Sequence, residues 1–471
     1  MQPAATPRRG DFLFLLAVFF TALAFRVALF YSGFVDIDYN TNDSWQYLDM
    51  GRSLLRGTFA QDGVITMNRT PGYPAFLAAV FALFGESQLS VTASQMVLDA
   101  LSCVMVLQMG LWLGVNRWAA GLTAVMVATC LFTATYTTQA LTETVYTFVL
   151  TLGLWVLLLP SRAGSEEAYG TTTSRVLLSG LVFGFGVLVR PSMALAALPF
   201  AALMLLRSVL MHGWRGALSL RRLAAPAAFS AGLLVLVLPW MARNYLTFPA
   251  QYGAPDEQVT LLGMKSGIPT YKHVYTKEFN AFLRSQEEPY VQTEACTFPV
   301  VARFVYPEET QDLKRAFAKL EHDVKTTSIY RKESLPAFVE ITRKRYAAAP
   351  RLYVTAPLSK FLKIWIAPRI SVLWKGTSGH NSGRGLIVLM TLYSTFYVGL
   401  GFLGLTVGLR QASPVAAVYL LSQILGHSLT YMYIFPTPQS RYAVPVFPLF
   451  CLAAGLLASH AHKLASARWK L

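Results

Sequence analysis

"FLFLLAVFFTALAFRVALFY", residues 12–31, is an apolar run of the length that spans the hydrocarbon core of a bilayer, for which about 20 residues suffice. It is too long for the core of a signal peptide and has no small-residue cleavage pattern at its end, so it reads as a retained first membrane helix. The rest of the chain agrees. Of 471 residues 54% are hydrophobic and 14% charged, where a soluble domain carries roughly 25% charged residues. Mean hydropathy is +0.44. The expected class is an all-α polytopic membrane protein.

Further runs of this kind fall near 89–114, 118–136, 142–159, 176–189, 192–206, 224–241, 386–409, 412–433 and 443–459, giving about ten crossings with the first. The net charge of +16 would suit a nucleic-acid binder, but its distribution points elsewhere. With the N-terminus inside, the inner segments hold Arg8, Arg9, Arg117, Arg162, Arg175, Arg207, Arg215, Arg221, Arg222, Arg410, Lys463, Arg468 and Lys470, while the short outer turns are nearly free of Lys and Arg. That is the asymmetry that orients membrane proteins. Cys103, Cys130 and Cys451 lie in apolar runs and Cys296 stands alone, so no disulfide framework is expected.

Two outer segments are long. Segment 242–385 carries 21 basic and 13 acidic residues. Its stretch with Glu308, Glu309, Asp312, Lys314, Arg315, Lys319, Glu321 and Asp323 reads as solvated helix. The chain divides into an N-terminal transmembrane catalytic module, 1–250, with outer loop 33–88; an extracytoplasmic loop or subdomain, 251–351; and a surface segment with C-terminal membrane helices, 352–471. The apolar stretch 352–373 is laid on the membrane surface, because an eleventh crossing would put the basic tail outside.

The first outer loop opens with "FVDIDYNTNDSWQYLDMGRSLLRGTFA", residues 34–60. Ser44 to Arg56 is amphipathic at helical period, with Tyr47, Leu48, Gly51, Leu54 and Leu55 on one face, and Gly57 ends it. Such a helix lies in the membrane interface. The segment "GYPAFLAAVFALFG" is too short to span and is placed at the surface as well. At the same level the topology sets Asp36, Asp38, Asp43 and Arg69 on the loop, Glu143 at the start of the fourth span, Arg190 and Arg243 at the ends of the fifth and seventh, and Arg441 before the tenth. Lys360 and Lys363 lie on the surface segment. One arginine at a helix end is as readily an interfacial anchor, and Asp43 is as readily a helix N-cap. Together they pair carboxylates with cations at one membrane face. That layout suits a lipid-phosphate substrate, with cations on the phosphate and a carboxylate to take a proton from an incoming hydroxyl or amine.

The stretches "NDSWQYLDMGRSLLRGTFA", "NRTPGYPAFLAAVFALFG", "ALTETVYTFVLTLGL", "GLVFGFGVLVRPSMALAALP", "PWMARNY" and "SRYAVPVFPLFCLAAGL" occur in this order. Together they resemble the GT-C membrane glycosyltransferases of the protein-mannosyltransferase and lipid A aminoarabinose-transferase type. The resemblance implies a glycosyltransferase that moves a sugar from a polyprenyl-phosphate donor to a glycan, lipid or protein acceptor at the outer face of the membrane, by a single inverting displacement. It implies Asp43 as the base, with Tyr47 on the same helix, and Asp36 and Asp38 as fallback bases. Glu143 matches the family's second acid. Arg69, with Tyr73 following, and Arg190 match basic residues of the family, and Arg243 and Arg441 match recurrent arginines; the resemblance implies that Arg69, Arg190 and Arg243 hold the lipid phosphate. A bacterial inner membrane with a periplasmic site is the expected location.

Other features read as structural. Asp99, inside the second span, is expected to hydrogen-bond a neighbour such as Gln95 or Gln423. His427 reads as a satisfied core histidine, and "GFGVLVR" as a glycine-eased helix contact. No His/Cys/acid cluster has metal-site spacing, so no cofactor is assigned and the need for a divalent metal stays open. A lipid flippase or transporter, with ionisable groups near the midplane on paired repeats, is the alternative class; a non-catalytic assembly subunit of the same fold is another.

Overall fold

The computed structural model describes residues 9–35, 43–67, 69–160, 172–194, 219–248, 305–326, 334–366, 384–408, 414–434 and 440–468, with short pieces at 201–202, 204–205, 259–260 and 262–264 and single positions at 197, 209, 213, 282 and 285. Asp36, Asp38, Cys296 and seven of the fifteen residues of the expected span at 192–206 lie outside the described residues.

The architecture is helical. The helices are α1 (Arg9–Tyr31), α2 (Ser44–Leu55), α3 (Gly72–Phe84), α4 (Gln88–Trp112), α5 (Arg117–Ala128), α6 (Leu131–Ala134), α7 (Glu143–Leu158), α8 (Thr173–Val189), α9 (Leu220–Thr247), α10 (Glu309–Thr326), α11 (Ser334–Ala348), α12 (Leu352–Trp365), α13 (Arg384–Leu403), α14 (Pro414–Leu429) and α15 (Phe447–Arg468). The described residues also include two small antiparallel hairpins, Ala60–Gln61 with Val64–Ile65 and Val259–Thr260 with Gly263–Met264. Among the described residues six helical segments are long and apolar enough to cross a membrane: Asp11–Tyr31, Gln88–Trp112, Arg117–Thr138, Leu223–Thr247, Val388–Val407 and Arg441–Ala467. All six fall on expected runs, and the chain is an integral membrane protein. Helices α7 and α8 are shorter apolar helices, and the 412–433 run is split into α14 and a π turn, Thr430–Ile434.

Helix α4 packs against α1, α5, α7 and α15, and α8 lies between α7 and α9. The α8–α9 seam depends on missing side chains. A Cβ on Gly180 would stand 2.2 Å from the Phe229 carbonyl oxygen, one on Gly184 2.7 Å from that of Leu233, and one on Gly232 2.3 Å from that of Leu177. Gly184 belongs to "GFGVLVR", so the expected glycine-eased contact is present. In lipid, where helices gain little from hydrophobic burial against each other, such close backbone approach is a main source of association. Gly180→Val is therefore expected to lower the melting midpoint in detergent, at a cost of about 1–3 kcal/mol or more. An unchanged midpoint would show that the seam can open without loss.

A charged pair sits inside the bundle. Arg26 of α1 and Asp99 of α4 are both almost fully buried and lie 2.6 Å apart. Arg26 also donates to the carbonyls of Ala22 and Ala128, each at 2.8 Å. Asp99 thus has a partner that the sequence did not suggest. Gln95 is engaged elsewhere, accepting from the Tyr73 hydroxyl and donating to the carbonyls of Thr137 and Gln139. His427 is satisfied as expected, bonded to the Tyr146 hydroxyl at 3.0 Å and the Gln423 carbonyl at 2.9 Å.

Helices α10 and α11 pack together through Leu313, Ala316, Phe317, Phe338 and Ile341. Here the solvated-helix expectation needs correcting at Glu309 and Asp312. Glu309 is fully buried, bonded to Arg345 of α11 and to the Val305 amide. Asp312 is paired with Lys344 and Arg315. Glu309 and Asp312 face α11, which supplies Arg345 and Lys344, while Glu308, Lys314, Arg315 and Lys319 are exposed as expected.

Helix α12 has 14 residues, too few to cross. Leu352, Ala356, Lys360 and Ile364, spaced at i, i+4, are buried, whereas Tyr353, Val354, Leu358 and Leu362 are exposed. One side of α12 is therefore packed on protein and the other is left open and apolar.

Candidate active site

Helix α2 begins after Asp43, whose backbone is already helical and whose side chain makes no cap hydrogen bond. Capping therefore does not account for this carboxylate. It accepts instead from two arginines: Arg69 Nη2 to Oδ1 at 2.6 Å and Arg441 Nη2 to Oδ2 at 3.0 Å. Arg69 is held from the α2 side, by Gln46 Oε1 at 3.0–3.2 Å and by the Tyr47 ring, 5.2 Å from its guanidinium. Arg441 begins the last membrane segment, in a 3-10 turn, Ser440–Val446, that packs on α7, α12 and α15.

The row continues inward. Arg441 Nε lies 3.8 Å from Glu143 Oε1, and Arg190 Nη1 donates to the same oxygen at 3.2 Å. Glu143 is the first residue of α7, where a negative charge meets the positive end of the helix dipole. Arg190 follows α8 and sits over the Tyr442 ring at 4.4 Å, which Arg441 also faces at 5.4 Å. The order Arg69–Asp43–Arg441–Glu143–Arg190 alternates in sign, is drawn from five separate segments, and carries a surplus of one positive charge. Its two ends differ in access: side-chain exposure is 32% for Asp43 and 2% for Glu143. Glu143 Oε2 and Arg441 Nε are buried and make no hydrogen bond. These two atoms are the row's unused acceptor and donor.

Burial pushes the Asp43 carboxyl up, but the charges and hydrogen bonds of Arg69 and Arg441 together outweigh it and hold the group below its ordinary value of 3.8. A lowered folded-state pKa means that the stability Asp43 contributes is present above its unfolded value and is lost as pH falls through the folded one. At neutral pH the group is ionised and in place, though the same two guanidiniums weaken it as a base.

The structure thus brings together Asp43, Tyr47, Arg69, Glu143, Arg190 and Arg441. Tyr73 stands behind them: it is fully buried, packs edge-on against Tyr47 at 5.1 Å, and spends its hydroxyl on Gln95. Arg243 donates to the Thr66 carbonyl at 2.8 Å and lies among the rings of Phe59, Trp240 and Phe248, so it ties the end of α9 to the loop that carries Arg69. Lys360 is buried on the packed face of α12 and Lys363 is partly exposed. Asp36 and Asp38 lie outside the described residues. Among the described residues no three His, Cys, Asp or Glu side chains gather as a metal site.

Gln46, Gly72 and Tyr442 were not singled out by the sequence. A Cβ on Gly72 would stand 2.5 Å from the Leu188 carbonyl carbon and the Val189 amide nitrogen. Only glycine lets the start of α3, which follows Arg69, meet the end of α8, which precedes Arg190. The signal was in "NRTPGYP", but a glycine after a proline reads first as a turn.

Residues 68–242, from just before α3 through most of α9, match the family described as dolichyl-phosphate-mannose-protein mannosyltransferase. No curated protein matches the chain. The archaeal oligosaccharyltransferase AglB from Archaeoglobus fulgidus, solved in complex with an inhibitory peptide and a dolichol-phosphate, aligns with a TM-score of 0.52 at 13% identity over 98% of this chain and 52% of that one. The apo form of the oligosaccharyltransferase from the same organism aligns at 0.51 and 13%, over 96% and 51%. The chain spans about half the length of those enzymes. ArnT from Cupriavidus metallidurans bound to undecaprenyl phosphate aligns at 0.34 and 14%, over 94% and 76%. The chain is thus similar to the dolichyl-phosphate-mannose-protein mannosyltransferase family over residues 68–242 and shares its fold with the archaeal oligosaccharyltransferase.

Proposed function

We propose that the protein transfers a sugar from a polyprenyl-phosphate carrier to an acceptor at the extracytoplasmic face of a bacterial inner membrane, by one inverting displacement. The observation that carries this reading is the alternating row from Arg69 to Arg190. It offers a surplus of positive charge and one partly exposed carboxylate at one end of the helix bundle.

In the reaction the acceptor's hydroxyl or amine attacks the anomeric carbon from the face opposite the phosphate. The bond between that carbon and the phosphate oxygen breaks, and its electron pair leaves with the lipid phosphate. Arg69 and Arg441 hold the charge that develops there, as fixed cations do in other phosphoryl-handling sites. Asp43 takes the proton of the attacking group. Glu143, paired with Arg190 and Arg441, holds those cations in place at the inner end of the row.

The test is donor binding. The detergent-solubilised protein should bind undecaprenyl phosphate, and Arg69→Ala should weaken it by about 1.5–3 kcal/mol, one charge-assisted hydrogen bond. Transfer in that variant should recover in part at high donor concentration. Unchanged donor dependence would make Arg69 an interfacial anchor.

A further inference from the structure

We infer that Asp43 stands in for the donor's phosphate: it occupies Arg69 and Arg441 until a lipid phosphate takes them, and only then is its carboxylate free to act as the base. This rests on the donor reading above and adds to it an order of events.

The geometry supplies the competition. Both oxygens of Asp43 are already used, one by each guanidinium. A carboxylate gripped on both oxygens has little room left for the proton of an acceptor. Each arginine meets Asp43 through a single Nη2, so neither grip is bidentate and each can be exchanged. Asp43, Arg69 and Arg441 are also each about a quarter to a third exposed, so a headgroup can reach them, whereas Glu143 is shut in. A phosphate offers more acceptor oxygens and more charge than a carboxylate, so it outbids Asp43 for forked guanidinium donors.

The charges facing Asp43 decide what happens on release. Among the described residues they are Arg69 from the loop before α3, with Tyr47 and Gln46 of α2 behind it, and Arg441 from the 3-10 turn, with Tyr442 beside it and Glu143 and Arg190 beyond. The two guanidiniums are what hold the carboxyl low, against burial that raises it. When phosphate takes them, burial and the neighbouring phosphate charge both favour protonation. The base therefore strengthens as the donor arrives, and an acceptor that enters first meets a masked one. The expected kinetic order is donor before acceptor.

The experiment measures undecaprenyl phosphate affinity in the full chain and in Asp43→Asn and Asp43→Ala. If Asp43 competes with the phosphate, removing its charge should tighten binding in both variants, on the order of tenfold for one charge-assisted contact. Unchanged or weaker binding would overturn the inference and make Asp43 a support for the arginines. Undecaprenol, with the tail and no phosphate, should bind all three proteins alike; a gain there would show relief of bulk rather than of charge and would equally overturn it. Wild-type protein that fails to bind the lipid phosphate, or binds inorganic phosphate as tightly, would instead bring down the donor reading.

Discussion

Asp43→Asn is expected to stay folded and to lose transfer by on the order of 10²-fold or more, the usual scale for a missing general base. The substitution is small in structure. Asp43 does not cap α2 through its side chain, so no cap is lost. The amide oxygen can still accept from Arg69. What goes is one negative charge between two guanidiniums, in a group that is partly exposed, and pairs of that kind contribute on the order of 1 kcal/mol or less. Activity should therefore fall far more than stability. The measurement is sugar transfer by purified variants, with lipid-linked donor saturating and the melting midpoint recorded alongside. Full activity in Asp43→Asn would move the base to Glu143, or to Asp36 or Asp38. The same loss in kcat at saturating donor, with no rise in the donor requirement, separates a base from a residue that only holds the phosphate.

Much of the fold was legible because bilayer-length apolar runs leave little choice of structure. The six long membrane helices all fall on runs visible in the sequence, and Gly57, with a φ of 76°, ends α2 where a left-handed residue was expected. The faces of α2 were read less well. Leu55 is exposed, while Met50 and Ser53 are buried. Met50 meets Phe59 and Trp240, and Ser53 donates to the Thr58 carbonyl and accepts from the Ala60 amide. Hydrophobicity alone cannot show a second packing surface made by residues elsewhere in the chain. The site was legible as a level, since residues at helix ends on one side of the membrane were set side by side. Its pairings were not. Asp43 and Arg441 are 398 positions apart, and nothing local says that Asp43 takes Arg441 while Glu143 takes Arg190. Arg26 was hidden for the opposite reason: one arginine in a run of leucines and phenylalanines barely changes the hydropathy that identifies the run.

Asp99→Asn is expected to be among the most destabilising single changes in the protein, at about 3–5 kcal/mol, because it leaves the Arg26 guanidinium buried without its countercharge. Arg26 cannot escape by snorkelling, since it and Asp99 are both at or below 1% side-chain exposure. Its other contacts are neutral: the Ala22 and Ala128 carbonyls and, at 3.4 Å, Cys103 Sγ. Ala128 is the last residue of α5, so Arg26 also satisfies a carbonyl that helix geometry leaves open. The pair therefore ties α1, α4 and the end of α5 together at one point. Its net worth is another matter, because the desolvation of both ions offsets much of their attraction. Arg26→Met combined with Asp99→Leu should recover most of the loss, short of the wild type by about 1–3 kcal/mol for the carbonyl left bare. Melting midpoints of the two single variants and the double variant in one detergent measure this. A double variant no better than Asp99→Asn would mean that the hydrogen bonds of Arg26, rather than the balance of charge, hold these three helices in register.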